Sequence, residues 1–183
     1  MDKKVLVPLA DGAEEIEAIT IIDVLRRAGA NVTAAGIKTL EVTAAHGVRL
    51  LADKLISDCA DETYDMIVLP GGMPGSENLR NSKRLEDLLL KQRNDGRWYA
   101  AICAAPAVVL APLGLLADHH ATCYPGFIGQ LRDATVSDER VVVDGRCITS
   151  KGPGSAMEFA VTLVSVLFGE AKADEIAAGL LMR

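Results

Sequence analysis

Residues Trp98–Ala111 read WYAAICAAPAVVLA, an apolar run with one sulfur, no charge and a proline three residues after the sulfur. Taken alone it allows two readings. Free cysteine is among the most buried residue types, so Cys103 suits a packed core. If Trp98–Ile102 is a strand and Ala104–Leu113 a helix, Cys103 instead stands on the turn between them. A sulfur there meets unpaired N–H groups and the positive end of the helix dipole, which favour the reactive thiolate. Ala100, Ala101, Ala104 and Ala105 leave clearance around it. The order strand, nucleophile, helix is that of a nucleophile elbow, with alanine in place of the consensus glycines.

The rest of the chain alternates in the same way. Lys4–Leu9 reads as a short buried strand, and Ala13–Ala28 as a helix closed by Gly29. Asn31–Gly36 returns as a strand, Leu40–Leu51 suits a hairpin through Gly47, and Tyr64–Leu69 is a further strand ending in Pro70-Gly71-Gly72. Ser82–Asn94 is an amphipathic helix stopped by Gly96. Arg140–Asp144 and Arg146–Thr149 form strands joined at Asp144-Gly145. Helices over Ser155–Phe168 and Lys172–Leu181 close the chain. Continuous apolar strands alternating with helices predict an α/β protein, a mainly parallel sheet covered on both faces. Neither a repeat nor a linker divides the sequence, so residues 1–183 are expected to form one domain.

Half of the 183 residues are apolar, enough for a substantial core, and the formal net charge is −6. That balance, with no basic cluster, argues against nucleic acid or an anionic membrane as a partner. No apolar run reaches the ~18 residues of a membrane span. The start MDKKVLVPLADG lacks the long apolar region of a secretory signal. The four cysteines, Cys59, Cys103, Cys123 and Cys147, show no metal spacing. A reducing, cytoplasmic setting with free thiols is expected, with neither metal nor cofactor; Cys59, Cys123 and Cys147 read as structural.

In a parallel sheet, ligands bind beyond the carboxyl ends of the strands. Ala10–Glu17, Pro70–Gly75 and Cys103–Pro106 all sit at such ends. On a helical wheel Glu14 and Glu17 share the apolar stripe with Ala18, Ile21, Val24 and Leu25, while Glu15, Asp23, Arg26 and Arg27 fall opposite. A carboxyl drawn into an apolar site resists ionisation and suits proton transfer, whereas the helix N-terminus opposes that shift. Glu14 reads equally as a first-turn acid that escapes to water; Glu17 lies one turn deeper. Gly71-Gly72 can present backbone N–H groups as an oxyanion hole or form a plain turn. Lys151-Gly152-Pro153-Gly154 is either an anion site or a tight start to the next helix. His46, His119 and His120 are the histidines available for a cysteine–histidine pair, and none is placed convincingly. Tyr124, before Pro125, lines a pocket or packs in the core.

Five motifs stand in order: GAEEIEA (Gly12–Ala18), DVLRRAG (Asp23–Gly29), VLPGG (Val68–Gly72), AAICAAP (Ala100–Pro106) and TSKGPGSAMEFA (Thr149–Ala160). Together they closely resemble the DJ-1/ThiJ/PfpI superfamily, in the branch of the Parkinsonism-associated protein and its bacterial relatives, from Lys4 to about Leu181. The resemblance implies a flavodoxin-like three-layer α/β/α sandwich and a homodimer. It implies Cys103 as nucleophile and redox centre, Glu17 as its partner acid, Glu14 as a supporting acid, and the N–H groups of Gly72 and Ala104 as an oxyanion pocket beside Gly71. Tyr124 stands where many members carry a histidine near the cysteine, which leaves proton transfer to Glu17. The dimer contact is implied at Ile16, with His46 near an arginine of several relatives. An isoleucine on the polar side of the wheel, joined there by Ile19, suits that contact independently.

The activity the resemblance implies is a cofactor-free glyoxalase or deglycase acting on small 2-oxoaldehydes or their glycated adducts. The alternative is a redox sensor or redox-regulated chaperone working through oxidation of Cys103. A third reading, a cysteine hydrolase or amidotransferase, is weakened by the missing downstream histidine.

Overall fold

A computed structural model describes residues 3–182; residues 1–2 and 183 of the expected domain lie outside the described residues. Strand β1 (Lys4–Leu9) leads into helix α1 (Glu15–Arg27), and β2 (Asn31–Gly36) follows. A hairpin of β3 (Glu41–Thr43) and β4 (Arg49–Leu51) and the short β5 (Lys54–Leu55) come next. β6 (Met66–Leu69), α2 (Gly75–Arg80), α3 (Lys83–Asn94) and β7 (Trp98–Ile102) form the middle of the chain. Then come β8 (His120–Ala121), β9 (Thr135–Val136), β10 (Val141–Asp144), β11 (Cys147–Ser150), α4 (Ala156–Phe168) and α5 (Glu170–Gly179).

The main sheet has seven strands in the order β10-β11-β7-β6-β1-β2-β5, and β10 alone runs antiparallel. Alternation along each strand sorts the core into two layers. Val5, Val7, Leu9, Ala100 and Ile102 face α1 and α4, meeting Ile21, Leu25, Phe159 and Leu163. Leu6, Ile67, Leu69, Tyr99 and Ala101 face the other way, onto Leu79, Leu85 and Leu89 of α2 and α3. The expected three-layer α/β/α sandwich with a mainly parallel sheet is therefore what forms. After β2 on one side of β1, the chain crosses back to β6 on the other. The carboxyl ends of β1 and β6 thus border the crevice where open α/β sheets bind ligands.

Several elements differ from the sequence reading. Ala104–Leu113 is helical without being a regular α-helix. It opens as a wide turn over Pro106–Leu110, with Ala111 N–H reaching back five residues to Pro106 O, and tightens over Ala111–Leu113. Pro106 and Pro112 have no N–H to give, so a regular ladder cannot run through them. Helix α1 starts at Glu15, and Glu14 is its N-cap rather than a helical residue. The late hairpin pairs Asp144 with Cys147, so its two turn residues are Gly145 and Arg146, one place later than Asp144-Gly145. β8, which the sequence reading did not include, ends at Ala121; beyond it Thr122 N–H goes to Thr149 Oγ1 and Tyr124 N–H to the Cys103 carbonyl.

Candidate active site

The carboxyl ends of β1, β6, β7 and β11 lie side by side, and each delivers one wall of the site. Cys103 follows β7 with a φ of +65°. A non-glycine residue in this left-handed region carries about 1–2 kcal/mol of strain. Both backbone groups of the residue are anchored: its N–H donates to Ser150 O at 2.9 Å, and its carbonyl accepts Tyr124 N–H at 2.8 Å. These bonds hold the sharp turn that lifts the sulfur out of the strand, and only 8% of the residue remains exposed. The elbow geometry read from WYAAICAAPAVVLA, a strand ending in a sharp turn at the cysteine, is present.

Glu17, on the first turns of α1, is completely buried. Its Oε2 accepts the Gly71 N–H at 2.7 Å. Its Oε1 has no hydrogen-bond partner among the described residues, while the carboxyl interacts with the Cys103 thiol. Burial raises the carboxyl to about 7; the Gly71 N–H and the thiol oppose this, and the nearby Glu14 carboxylate adds to it. Burial also pushes the Cys103 thiol up, to about 12, and a Glu17 carboxylate reinforces the rise, against the N–H groups of Gly72 and Ala104. The helix N-terminus therefore does not by itself yield the thiolate expected from sequence. A protonated Glu17 removes the repelling charge that adds to the rise of the Cys103 thiol and turns the carboxyl into a donor toward the sulfur.

Glycine is required here for space. A Cβ on Gly71 would stand 2.5 Å from Cys103 Cβ and 2.9 Å from Glu17 Oε2, in the gap between thiol and acid. Gly72, at φ +87°, would place one 2.4 Å from the Glu14 nitrogen. On the far wall, a Cβ on Gly152 would lie 3.3 Å from the Tyr124 ring and 4.0 Å from Cys103 Sγ. Gly152 thus faces the sulfur, a role the sequence reading missed. Its position after β11 could have flagged it by the criterion that singled out Gly71. Tyr124, half exposed and edge-on to Phe127 at 6.4 Å between ring centroids, lines an open recess of about 190 Å³ with Arg140, Lys151, Gly152 and Ser155.

Glu14 and Glu15 behave differently from Glu17. Glu14 Oε1 accepts the Ile16 N–H at 3.4 Å, and its Oε2 lies 3.5 Å from His46 Nδ1. Glu14 acts on Glu17 only through its charge. Glu15, placed on the polar face by the wheel, is buried. The β3–β4 hairpin folds over the start of α1, and His46 N–H donates to Glu15 Oε1 at 3.0 Å, with Nδ1 3.3 Å from Oε2. Glu14, Glu15 and His46 hold their oxygen and nitrogen atoms within 4.8 Å of one another, the donor count of a weak metal site. Those donors already bond His46 and the N-cap, and the positive end of α1 disfavours a cation. His119 hydrogen-bonds the Ala117 carbonyl and His120 opens β8, so neither serves the sulfur. Ile16 and Ile19 are 56% and 48% exposed on the outer face of α1. Cys59, Cys123 and Cys147 are buried, and burial raises each thiol.

A strained cysteine on a strand-to-turn elbow, backed by a buried acid and two backbone donors at the switch of a parallel sheet, defines a cysteine-centred α/β protein of the flavodoxin-like type. Residues 3–166 match the DJ-1/PfpI family, and the chain belongs to that family. It is 50% and 51% identical to the Arabidopsis thaliana proteins DJ-1 homolog A and homolog B, over 99% of its own length and 47% and 42% of theirs. The chain therefore spans about half the length of those relatives. It is 39% identical to the glutathione-independent glyoxalase DJR-1.2 of Caenorhabditis elegans, over 94% of this chain and 91% of that protein. The structure of oxidized Toxoplasma gondii DJ-1 superimposes with a TM-score of 0.96 at 49% identity, covering 98% of each chain. Among the described residues, no helix is long and apolar enough to cross a membrane.

Proposed function

We propose that this chain is a cofactor-free, cysteine-dependent glyoxalase or deglycase acting on small 2-oxoaldehydes or their adducts, in one domain. The observation that carries the reading is the buried Glu17 carboxyl, raised to about 7 beside Cys103 and with one oxygen free of other partners. A group of that pKa gives and takes protons near neutrality. The Cys103 thiolate adds to the aldehyde carbon of methylglyoxal, and Glu17 delivers its proton to the new alkoxide, forming a hemithioacetal. The Glu17 carboxylate then removes the C1 proton and returns it at C2, so the aldehyde carbon is oxidised and the ketone carbon reduced within one molecule. The resulting thioester is cleaved by water, releasing lactate and the free thiol. The N–H groups of Gly72 and Ala104 steady negative charge on the way. The similarity to a protein described as a glutathione-independent glyoxalase supports this reading.

The test is methylglyoxal turnover, with lactate measured directly, by wild type, Cys103→Ser and Glu17→Gln. Both variants are expected to lose turnover; Cys103→Ser turning over like the wild type would remove the proposal. Deglycation shares the first step, addition of the thiolate at the carbon that carried the aldehyde.

A second reading rests on the same donors and on the likeness to an oxidized DJ-1. One peroxide converts the thiolate to sulfenate and water, and a second gives sulfinate and water. Neutral Glu17 and the N–H groups of Gly72 and Ala104 then hold the sulfinate. Negligible lactate formation, with two oxygens added selectively at Cys103 by limiting peroxide, favours this sensor role. In either case the exposed Ile16 and Ile19, next to His46, are the proposed homodimer contact.

A further inference from the structure

A second cleft, of about 340 Å³, is lined by Arg80, Ala107, Pro112, Gln130 and Arg132, with no residue in common with the recess at Cys103. We propose that it binds a small phosphorylated ligand, and that this site is independent of the cysteine chemistry.

Three separate parts of the chain build it: the last residue of α2, the two turns that follow the elbow, and the segment that begins after Tyr124. Its volume suits a small metabolite rather than a lone ion. Its charge is the informative feature. The chain carries 25 acidic and 19 basic side chains, and Arg26, Arg27, Arg49, Arg97 and Arg140 each pair with a carboxylate. Among the described residues, neither the Arg80 nor the Arg132 side chain makes a hydrogen bond or ion pair, and no carboxylate lines their cleft. Two guanidinium groups facing one cavity repel each other, and an anion between them removes that cost. Arg84 is a useful contrast: its side chain is also unpaired, but its smaller cleft already contains Asp87.

The donor set selects the anion. Each guanidinium offers a planar fork suited to two oxygens. A carboxylate has two oxygens and one charge, enough for one fork. A phosphate monoester has three terminal oxygens and a charge of about −1.5 to −2, enough for both arginines and the Gln130 amide. Pro112 offers apolar wall to the organic part, with the buried Ala107 behind it. The net charge of −6 disfavours a nucleic acid as the source of the phosphate.

Calorimetric titration with glycerol 3-phosphate, pyrophosphate and acetate tests the site on wild type, Arg80→Gln, Arg132→Gln and Arg84→Gln, in about 0.15 M salt. Saturable one-to-one binding of the two phosphate compounds is expected, weakened about tenfold or more by either cleft variant and unchanged by Arg84→Gln. The Ala107 amide resonance should shift on titration of the wild type. All the substituted side chains are exposed, so the fold should survive, and Arg80→Lys keeps the charge while losing the fork. No saturation at about 10 mM would overturn the proposal. So would equal binding of acetate, equal weakening by Arg84→Gln, or binding that leaves Ala107 unmoved. The titration needs no turnover, so its failure and that of the glyoxalase reading are distinguishable.

Discussion

Glu15 and Glu17 sit two residues apart on one helix, both buried, and their protons are held in opposite ways. Burial acts upward on Glu15 too, but its own backbone N–H and the ring and backbone of His46 outweigh it, and its pKa falls. Glu17 has one N–H donor and a thiol, and it rises to about 7. Burial sets a cost for charge, and the number of donors decides whether the cost is met. One acid thereby becomes an anchor for the β3–β4 hairpin, and its neighbour a group that exchanges protons.

The sharpest way to break this contrast is to remove each carboxylate in turn. Glu17→Gln keeps an acceptor for Gly71 but cannot shuttle a proton, and lactate-forming kcat/KM should fall by about 10³-fold. Glu15→Gln should leave it within about threefold, since Glu15 contacts His46 and not the sulfur. Comparable losses in both would end the distinction.

Stability should separate the two acids by sign. Glu17 has a folded pKa of about 7 against an ordinary value of 4.5, so the folded state binds the extra proton. Its share of stability is complete below 4.5 and is lost as pH rises through 7, about 3 kcal/mol in all. Urea titrations at pH 5 and pH 8 should show wild type losing most of that amount, about 2.5 kcal/mol, relative to Glu17→Gln. For Glu15 the sign reverses: stability is present above 4.5 and is lost as pH falls. The Glu15→Gln variant should therefore be less sensitive to acid than wild type.

Gly71→Ala probes the space between thiol and acid. With its Cβ 2.5 Å from Cys103 Cβ, it should cost about 2 kcal/mol in urea unfolding. The shifted pair should also slow carbamidomethylation of Cys103. The smallest effect is expected for Glu15→Ala, which strips His46 N–H of its acceptor and should cost about 1–2 kcal/mol. Hydrogen exchange at the His46 amide, faster in this variant, would place the loss at the hairpin.

Some of this was legible before any fold was known. Val5, Val7 and Leu9 against Leu6 already encode a strand buried on both faces, and Cys103 between a strand and a proline encodes an elbow. The burial of Glu17 follows from helical spacing, because Ile21, Val24 and Leu25 continue the same stripe, whereas its pairing with Cys103 came from the motif resemblance. Glu15 was misplaced for a reason equally plain. A wheel knows the helix it describes, and it was the hairpin, from 31 residues further along, that covered the solvent side. Gly152 and Tyr124 come beside the sulfur through β11 and the Tyr124 N–H bond to Cys103 O, long-range contacts with no local periodicity. The convergence of Arg80 with Arg132 is of the same kind.

The sequence by itself determined most of the elements and the parallel layering, because these follow from local spacing of apolar and glycine residues; the pairing of Cys103 with Glu17 came from the resemblance of the ordered motifs. The tertiary structure alone decided the protonation balance. Whether Cys103 is thiol or thiolate depends on desolvation and on counted donors from β6, β7 and α1, and those donors meet only once the sheet has closed.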